Sequence, residues 1–207
     1  QETYGEESFL LGKMGAALVR GVQSGGVIAC IKHYAFNQME NARFKVNVTC
    51  DKRTEREVYL PHFKDCIDAG AASVMSSYNK YQGTYCGHNA YLLNDVLKGE
   101  WGFDGFVISD FYWGVKDTVE AANGGQNIEM AHTKFFGEKL LDAVKAGSVN
   151  ESTINDAALR IIRTLLAFED TKPENADPSV LACPEHVDLA LQSAREGITL
   201  LQNKNDV

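Results

Sequence analysis

Short apolar runs recur along this chain, each ending abruptly in polar residues and each set between helix-forming stretches. Nothing else in the sequence constrains the fold as much. Val27-Ile28-Ala29-Cys30-Ile31 closes in Lys32-His33, and Ala72-Ser73-Val74-Met75-Ser76 closes in Ser77-Tyr78-Asn79. Phe106-Val107-Ile108 closes in Ser109-Asp110, and a shorter run, Asn127-Ile128-Glu129-Met130, follows. Such runs between turn signals read as buried parallel strands. Helical spacing predicts helices over 6–23 (Phe9, Leu10, Met14, Leu18, Val19, Val22) and 51–69, where Pro61 is a conflict. Further helices are expected over 89–98, after Trp113 up to Asn123-Gly124-Gly125, and over 134–146, 151–168 and 185–202. Ile154, Ala157, Ala158, Ile161, Ile162 and Leu165 form the apolar stripe of 151–168. A helix followed by four strand-loop-helix units predicts an α/β fold with parallel strands and outer helices. In a (β/α)8 TIM-like barrel, strand C-termini converge on one mouth, and four βα units make a partial barrel. Its two outer strands would keep open edges. The chain is therefore expected to belong to a longer protein or to self-associate through those edges.

The composition sets limits. With 207 residues, 44% hydrophobic content and a mean hydropathy of -0.24, the chain can bury a core as a soluble domain. A net charge of -8 argues against a nucleic-acid partner. No apolar run approaches the roughly 18 residues that span a bilayer, so no membrane partner is expected. QETYGEESFLLGK has no basic region before an apolar core, so no signal peptide is visible. Cys30, Cys50, Cys66, Cys86 and Cys183 are odd in number and without CxxC spacing, which speaks against zinc and redox motifs. Free thiols favour a reducing compartment, and a cytoplasmic location is expected. His62, His88, His132 and His186 show no metal spacing. No metal and no cofactor are expected. Asn47-Val48-Thr49 and Asn150-Glu151-Ser152 match the glycosylation pattern, a match that chance often supplies.

The candidate chemistry gathers at strand ends. Asp110 stands at the C-terminal end of a strand, where parallel folds place reactive groups. Phe111, Tyr112 and Trp113 follow it, and flat apolar faces beside a carboxylate suit a sugar ring. The same Asp110 would equally serve as the cap of the next helix. By their residue types alone, Lys32 and His33 read first as a strand-end ion pair and a core histidine. Arg43 lies in a long excursion, 34–50, and long loops after strands are often functional. Glu129 reads as structural. No Gly-rich phosphate loop and no strand-end lysine in an apolar pocket point to an aldolase-like barrel.

KHYAFNQMENAR, SVMSSYNKYQGTYCGHNAYLLNDVLKGEWGFDGFVISDF and the closing AREGITLLQN resemble glycoside hydrolase family 3, and within it the β-glucosidase and β-xylosidase branch. The resemblance spans nearly the whole chain. It implies a retaining β-glycosidase in which Asp110 is the nucleophile. It also implies that Lys32 and His33 bind sugar hydroxyls, that Arg43 assists, that Tyr78 lies near the nucleophile and that Met75 lines the site. Phe111 stands where the family commonly has Trp. KHYAFNQ lacks the histidine loop of the peptidoglycan-recycling branch. By the resemblance, 1–169 is the C-terminal half of a barrel. Residues 170–207, with Pro173, Asn175, Asp177, Pro178 and Pro184, are a linker and terminal helix leading toward a second α/β domain. The first barrel strands and the acid/base Glu would lie outside this chain. The expected substrate is a β-linked glucoside, a related oligosaccharide or an aryl glycoside, and the isolated chain is expected to hydrolyse it poorly or not at all. A non-catalytic sugar-binding or scaffold half-barrel is the alternative.

Overall fold

A computed structural model of the chain describes residues 3–172 and 177–205. Pro173 and Asn175 of the expected linker lie outside the described residues. The chain divides into two compact units, one up to Lys172 and one beyond it.

The first unit is α/β. Strands β1 (Cys30–Tyr34), β3 (Ser73–Ser76) and β6 (Phe106–Ser109) form a parallel sheet in the order β1-β3-β6. The first strand sits three residues later than its apolar run predicts. Val27 stays 59% exposed, whereas Cys30 is the residue that pairs, with Ser73. Lys32 and His33 are thus inside the strand, where the register slips between Ile31 and Tyr34. A bulge of this kind re-aims a side chain.

The expected fourth strand shrinks to a single parallel bridge, Ile108 to Ile128. Backbone bonds remain there, from the Asn127 and Ile128 N–H groups to the Val107 carbonyl and from the Ser109 N–H to the Ile128 carbonyl, and side-chain amides supplement them. Asn127 Oδ1 accepts from the Val107 N–H at 2.7 Å, and Gln126 Nε2 donates to the Val107 and Ile128 carbonyls.

Helix α1 (Ser8–Ser24) packs on α3 (Pro61–Asp68) through small residues, with Gly12, Ala16 and Val19 buried. Its apolar stripe does not face inward as its spacing predicts, because Phe9, Met14 and Leu18 are 67%, 47% and 55% exposed. Helix α2 (Lys52–Thr54) is capped by Asp51 and runs into a π-helical turn, Glu55–Tyr59. Pro61 resolves its conflict by ending that stretch and opening α3 at the first turn, where a missing N–H costs nothing.

A second sheet, absent from the sequence reading, joins β2 (Asn47–Val48), β4 (Lys80–Tyr81) and β5 (Thr84–Tyr85). Gln82 and Gly83, at φ 50° and 90°, make the two-residue hairpin turn between β4 and β5. The core lies between the parallel sheet and the π-helical segment Tyr91–Glu100. Leu92, Leu93, Val96 and Leu97 meet Tyr34, Phe63, Val74 and Val107 there.

Helices α4 (Thr118–Gly124), α5 (Glu138–Lys145) and α6 (Glu151–Glu169) complete the unit. The predicted stripe of α6 is split. Ile162 and Leu165 are exposed, whereas Thr164 is buried and Arg160 Nη1 donates to the Phe103 carbonyl at 2.7 Å. The second unit holds α7 (Pro184–Gly197), five residues shorter than its predicted end. Among the described residues no helix is long and apolar enough to cross a membrane.

Candidate active site

The end of β6 delivers Asp110, which is 7% exposed. Its surroundings fix it from several sides. The Phe111 N–H donates to Asp110 Oδ1 at 2.7 Å. Ser109 Oγ donates to the Asp110 carbonyl at 3.0 Å and accepts from the Met130 N–H at 2.9 Å. Gly114 closes the turn against the Asp110 backbone, where a Cβ would sit 2.4 Å from the Asp110 carbonyl oxygen. Only a residue without a side chain permits that approach.

The other carboxylate oxygen is treated differently. Asp110 Oδ2 is buried and accepts no hydrogen bond among the described residues. It faces two basic groups: His33 Nε2 at 3.4 Å and Arg43 Nη2 at 3.8 Å. The β1 bulge supplies His33, and the excursion between β1 and β2 supplies Arg43. One oxygen is thus held by a backbone amide and the other is left toward the basic groups. A buried carboxylate with an unused acceptor can bond to an incoming electrophile without first breaking a hydrogen bond.

Tyr78 follows β3. Its hydroxyl donates to the Phe111 carbonyl at 2.6 Å, and the Arg43 guanidinium lies 4.9 Å over its ring. Burial, and then the Asp110 charge, push the Tyr78 hydroxyl well above its ordinary pKa, with Arg43 pulling the other way. Tyr78 therefore stays a neutral donor across the working pH range. Phe111 is 41% exposed and Trp113 56%. Met75 is half-buried on β3, with its Cα paired to that of Ile108, two residues before Asp110. Lys32 is exposed beside His33. The structure thus brings His33, Arg43, Tyr78 and Phe111 to Asp110, with Met75 on the neighbouring strand.

Glu129 is occupied elsewhere, since Oε2 accepts from the Phe135 and Phe136 N–H groups at 2.7 and 2.8 Å. Sequence reasoning missed Phe44 and Glu40. Phe44 packs on Tyr78 and Trp113 with ring centroids 4.8 and 5.4 Å apart, and Glu40 Oε2 lies 3.2 Å from Arg43 Nη1. The signal for either was its nearness to Arg43 in the 34–50 excursion, where Phe44 also opens an alternating piece that runs to Val48.

No group of His, Cys, Asp or Glu among the described residues could hold a metal ion. A cavity of about 420 Å3 lies among Lys80, Tyr85, His88 and Glu120, with none of the Asp110 cluster in its lining. Both ring nitrogens of His88 are engaged there, by Glu120 and by the Lys116 N–H. The chemistry favours the Asp110 cluster over that cavity.

The glycosyl hydrolase family 3 N-terminal domain matches residues 1–164. The chain belongs to that family. It is 40% identical over 209 residues to thermostable β-glucosidase B of Acetivibrio thermocellus, matching all of this chain and 27% of that protein. It is 42% identical over 207 residues to a β-glucosidase of Rhizobium radiobacter, matching 98% of this chain and 25% of that one. In structure it resembles the β-D-glucoside glucohydrolase of Trichoderma reesei, with a TM-score of 0.89 and 31% identity over 100% of this chain and 30% of that one. It also resembles β-glucosidase 3B of Thermotoga neapolitana in complex with glucose, with a TM-score of 0.84 and 34% identity over 97% of this chain and 29% of that one. The chain thus spans between a quarter and a third of the length of these relatives.

Proposed function

We propose that this chain is the nucleophile-bearing part of a retaining, exo-acting β-glucosidase. The observation that carries the reading is the Asp110 carboxylate, with Oδ1 pinned by an amide and Oδ2 turned toward His33 and Arg43. Retaining glycosidases attack the anomeric carbon with one carboxylate and protonate the leaving oxygen with another carboxyl group about 5 Å away. In this reading Asp110 Oδ2 forms the bond to the anomeric carbon while the bond to the aglycone breaks. The aglycone takes a proton from an acid contributed by another segment of the parent protein. Water then hydrolyses the ester and frees Asp110. Lys32, His33 and Arg43 donate to sugar hydroxyls, Tyr78 holds the Asp110–Phe111 turn, and Met75, Phe111 and Trp113 supply apolar walls.

The three-stranded sheet is, in this proposal, an arc of a (β/α)8 barrel. His33, Tyr78 and Asp110 sit at or just beyond strand C-termini, as a barrel mouth requires. Residues 1–169 make up that arc, and 170–207 lead to a further α/β domain. The substrate is a β-linked glucoside or a related aryl glycoside, in keeping with the β-glucosidase names of the relatives. A reducing, cytoplasmic setting belongs to the same proposal.

The test replaces the matched segment of the Acetivibrio thermocellus enzyme with this chain. The chimera should cleave an aryl β-glucoside, and Asp110→Asn should lower kcat/KM on the order of a thousandfold or more. A fully active Asp110→Asn chimera would remove Asp110 from the chemistry. The isolated chain should turn over the same substrate poorly or not at all.

A further inference from the structure

Arg43 is poised between two carboxylates. Its Nη1 lies 3.2 Å from Glu40 Oε2, and its Nη2 lies 3.8 Å from Asp110 Oδ2. The Glu40 contact is shorter, is made within one loop and is a hydrogen bond. Glu40 is exposed and screened by solvent, whereas Asp110 is buried, yet the hydrogen bond to Glu40 still pulls the guanidinium outward from Asp110. Its Nε, moreover, is buried with no hydrogen-bond partner among the described residues, so no polar contact fixes the plane of the guanidinium at that end.

Two aromatic faces do hold it. The guanidinium carbon lies 4.9 Å from the Tyr78 ring centre and 5.8 Å from that of Phe44. Arg stacks on aromatic faces because its cation is planar and weakly hydrated. The Phe44 ring is itself wedged against Tyr78 at 4.8 Å and Trp113 at 5.4 Å. Trp113 is three residues past Asp110, and the Tyr78 hydroxyl is bonded to the carbonyl of Phe111, the residue after Asp110. Phe44 thus takes its position from the same turn that carries the proposed nucleophile.

We infer that Phe44 is a positioning residue that holds the Arg43 guanidinium on Asp110 against the competing pull of Glu40. The inference rests on the hydrolase reading for its catalytic consequence, but the clamp itself does not need that reading. The sequence marks Phe44 only as the residue after Arg43 and the start of an alternating piece that runs to Val48.

Two measurements decide it. In the chain alone, nitrogen-edited NMR should find the Arg43 Nε–Hε proton shifted upfield by the two rings. Phe44→Leu should abolish much of that shift and Phe44→Tyr should keep it. In the chimera, Phe44→Leu should lower kcat/KM about tenfold, whereas Phe44→Tyr should keep most of it. Combined with Arg43→Ala, Phe44→Leu should cost less than a further twofold, because the residue acts through Arg43. Glu40→Gln should restore part of the loss in Phe44→Leu by removing the competitor. An Arg43 resonance insensitive to Phe44→Leu, or losses that simply multiply in the double variant, would overturn the inference. A wild-type chimera without activity would instead overturn the hydrolase reading, and the NMR comparison would still decide the clamp.

Discussion

At the residue scale, two groups show how burial reshapes ordinary side chains. The Tyr78 hydroxyl donates to the Phe111 carbonyl at 2.6 Å. Tyr78→Phe removes that part-buried bond and should cost about 1 kcal/mol of stability, measured by urea unfolding of the chain. Lys98 is a different case. Burial lowers its pKa to about 8, with the Arg160 charge adding to the effect and Asp156 opposing it. Its ammonium donates to the Gly125 carbonyl at 2.7 Å. In the unfolded chain a lysine titrates near 10.4. Between those values the unfolded chain holds a proton that the folded one has lost, so stability should rise with pH across that window. The slope is at most about 1.4 kcal/mol per pH unit. Lys98→Met should flatten this rise, and an equally steep rise in the variant would assign it to another group. Asp110 was legible at this scale, because a strand that ends in an acid and then aromatics is a local pattern. Phe44 and Glu40 were not, because their meaning comes from rings and charges distant in sequence.

At the scale of elements, Glu55 ties together pieces that sequence keeps apart. It is fully buried in the π-helical turn. It accepts from the hydroxyls of Tyr81 on β4 and Tyr91 on the core helix, from Lys52 Nζ at 3.1 Å and from Arg56 Nε at 2.9 Å. Burial alone would raise its pKa, but the two hydroxyls and Lys52 more than reverse this, and its carboxyl stays below the ordinary value. Phe36, at the start of the Arg43 loop, stacks on Tyr81 at 4.1 Å. The acid thereby anchors the hairpin that anchors the loop. Glu55→Ala leaves two buried hydroxyls without their acceptor and should cost on the order of 3 kcal/mol or more in chemical denaturation. A loss under about 1 kcal/mol would show that the cluster relaxes around the gap. The three sheet strands and the long helices were legible because their spacing is local. The β2-β4-β5 sheet was not, since two-residue strands carry no period. The split stripe of α6 was hidden too, because Arg160 faces inward to meet carbonyls that a pattern of apolar residues does not reveal.

At the scale of the molecule, what stands out is apolar surface. Phe9, Met14 and Leu18 on α1 and Ile162, Leu165 and Leu166 on α6 are all roughly half exposed or more. Exposed apolar stripes of this kind mark surfaces that meet other protein. Under the barrel proposal, other parts of the parent protein cover them. In the isolated chain they should drive association instead. Sedimentation velocity should show mass rising with concentration, and Met14→Lys with Leu18→Lys should reduce it. A monomer at every concentration would count against the exposed faces as drivers of association. The proposed chemistry, however, rests on one atom, Asp110 Oδ2. The most direct measurement treats the chimera with a 2-deoxy-2-fluoro-β-glucoside bearing a good leaving group and maps the labelled peptide by mass spectrometry. One fluoroglucosyl group should appear, on Asp110, with no label in Asp110→Asn. A label on any other carboxylate, or unchanged labelling of the Asn variant, would place the nucleophile elsewhere.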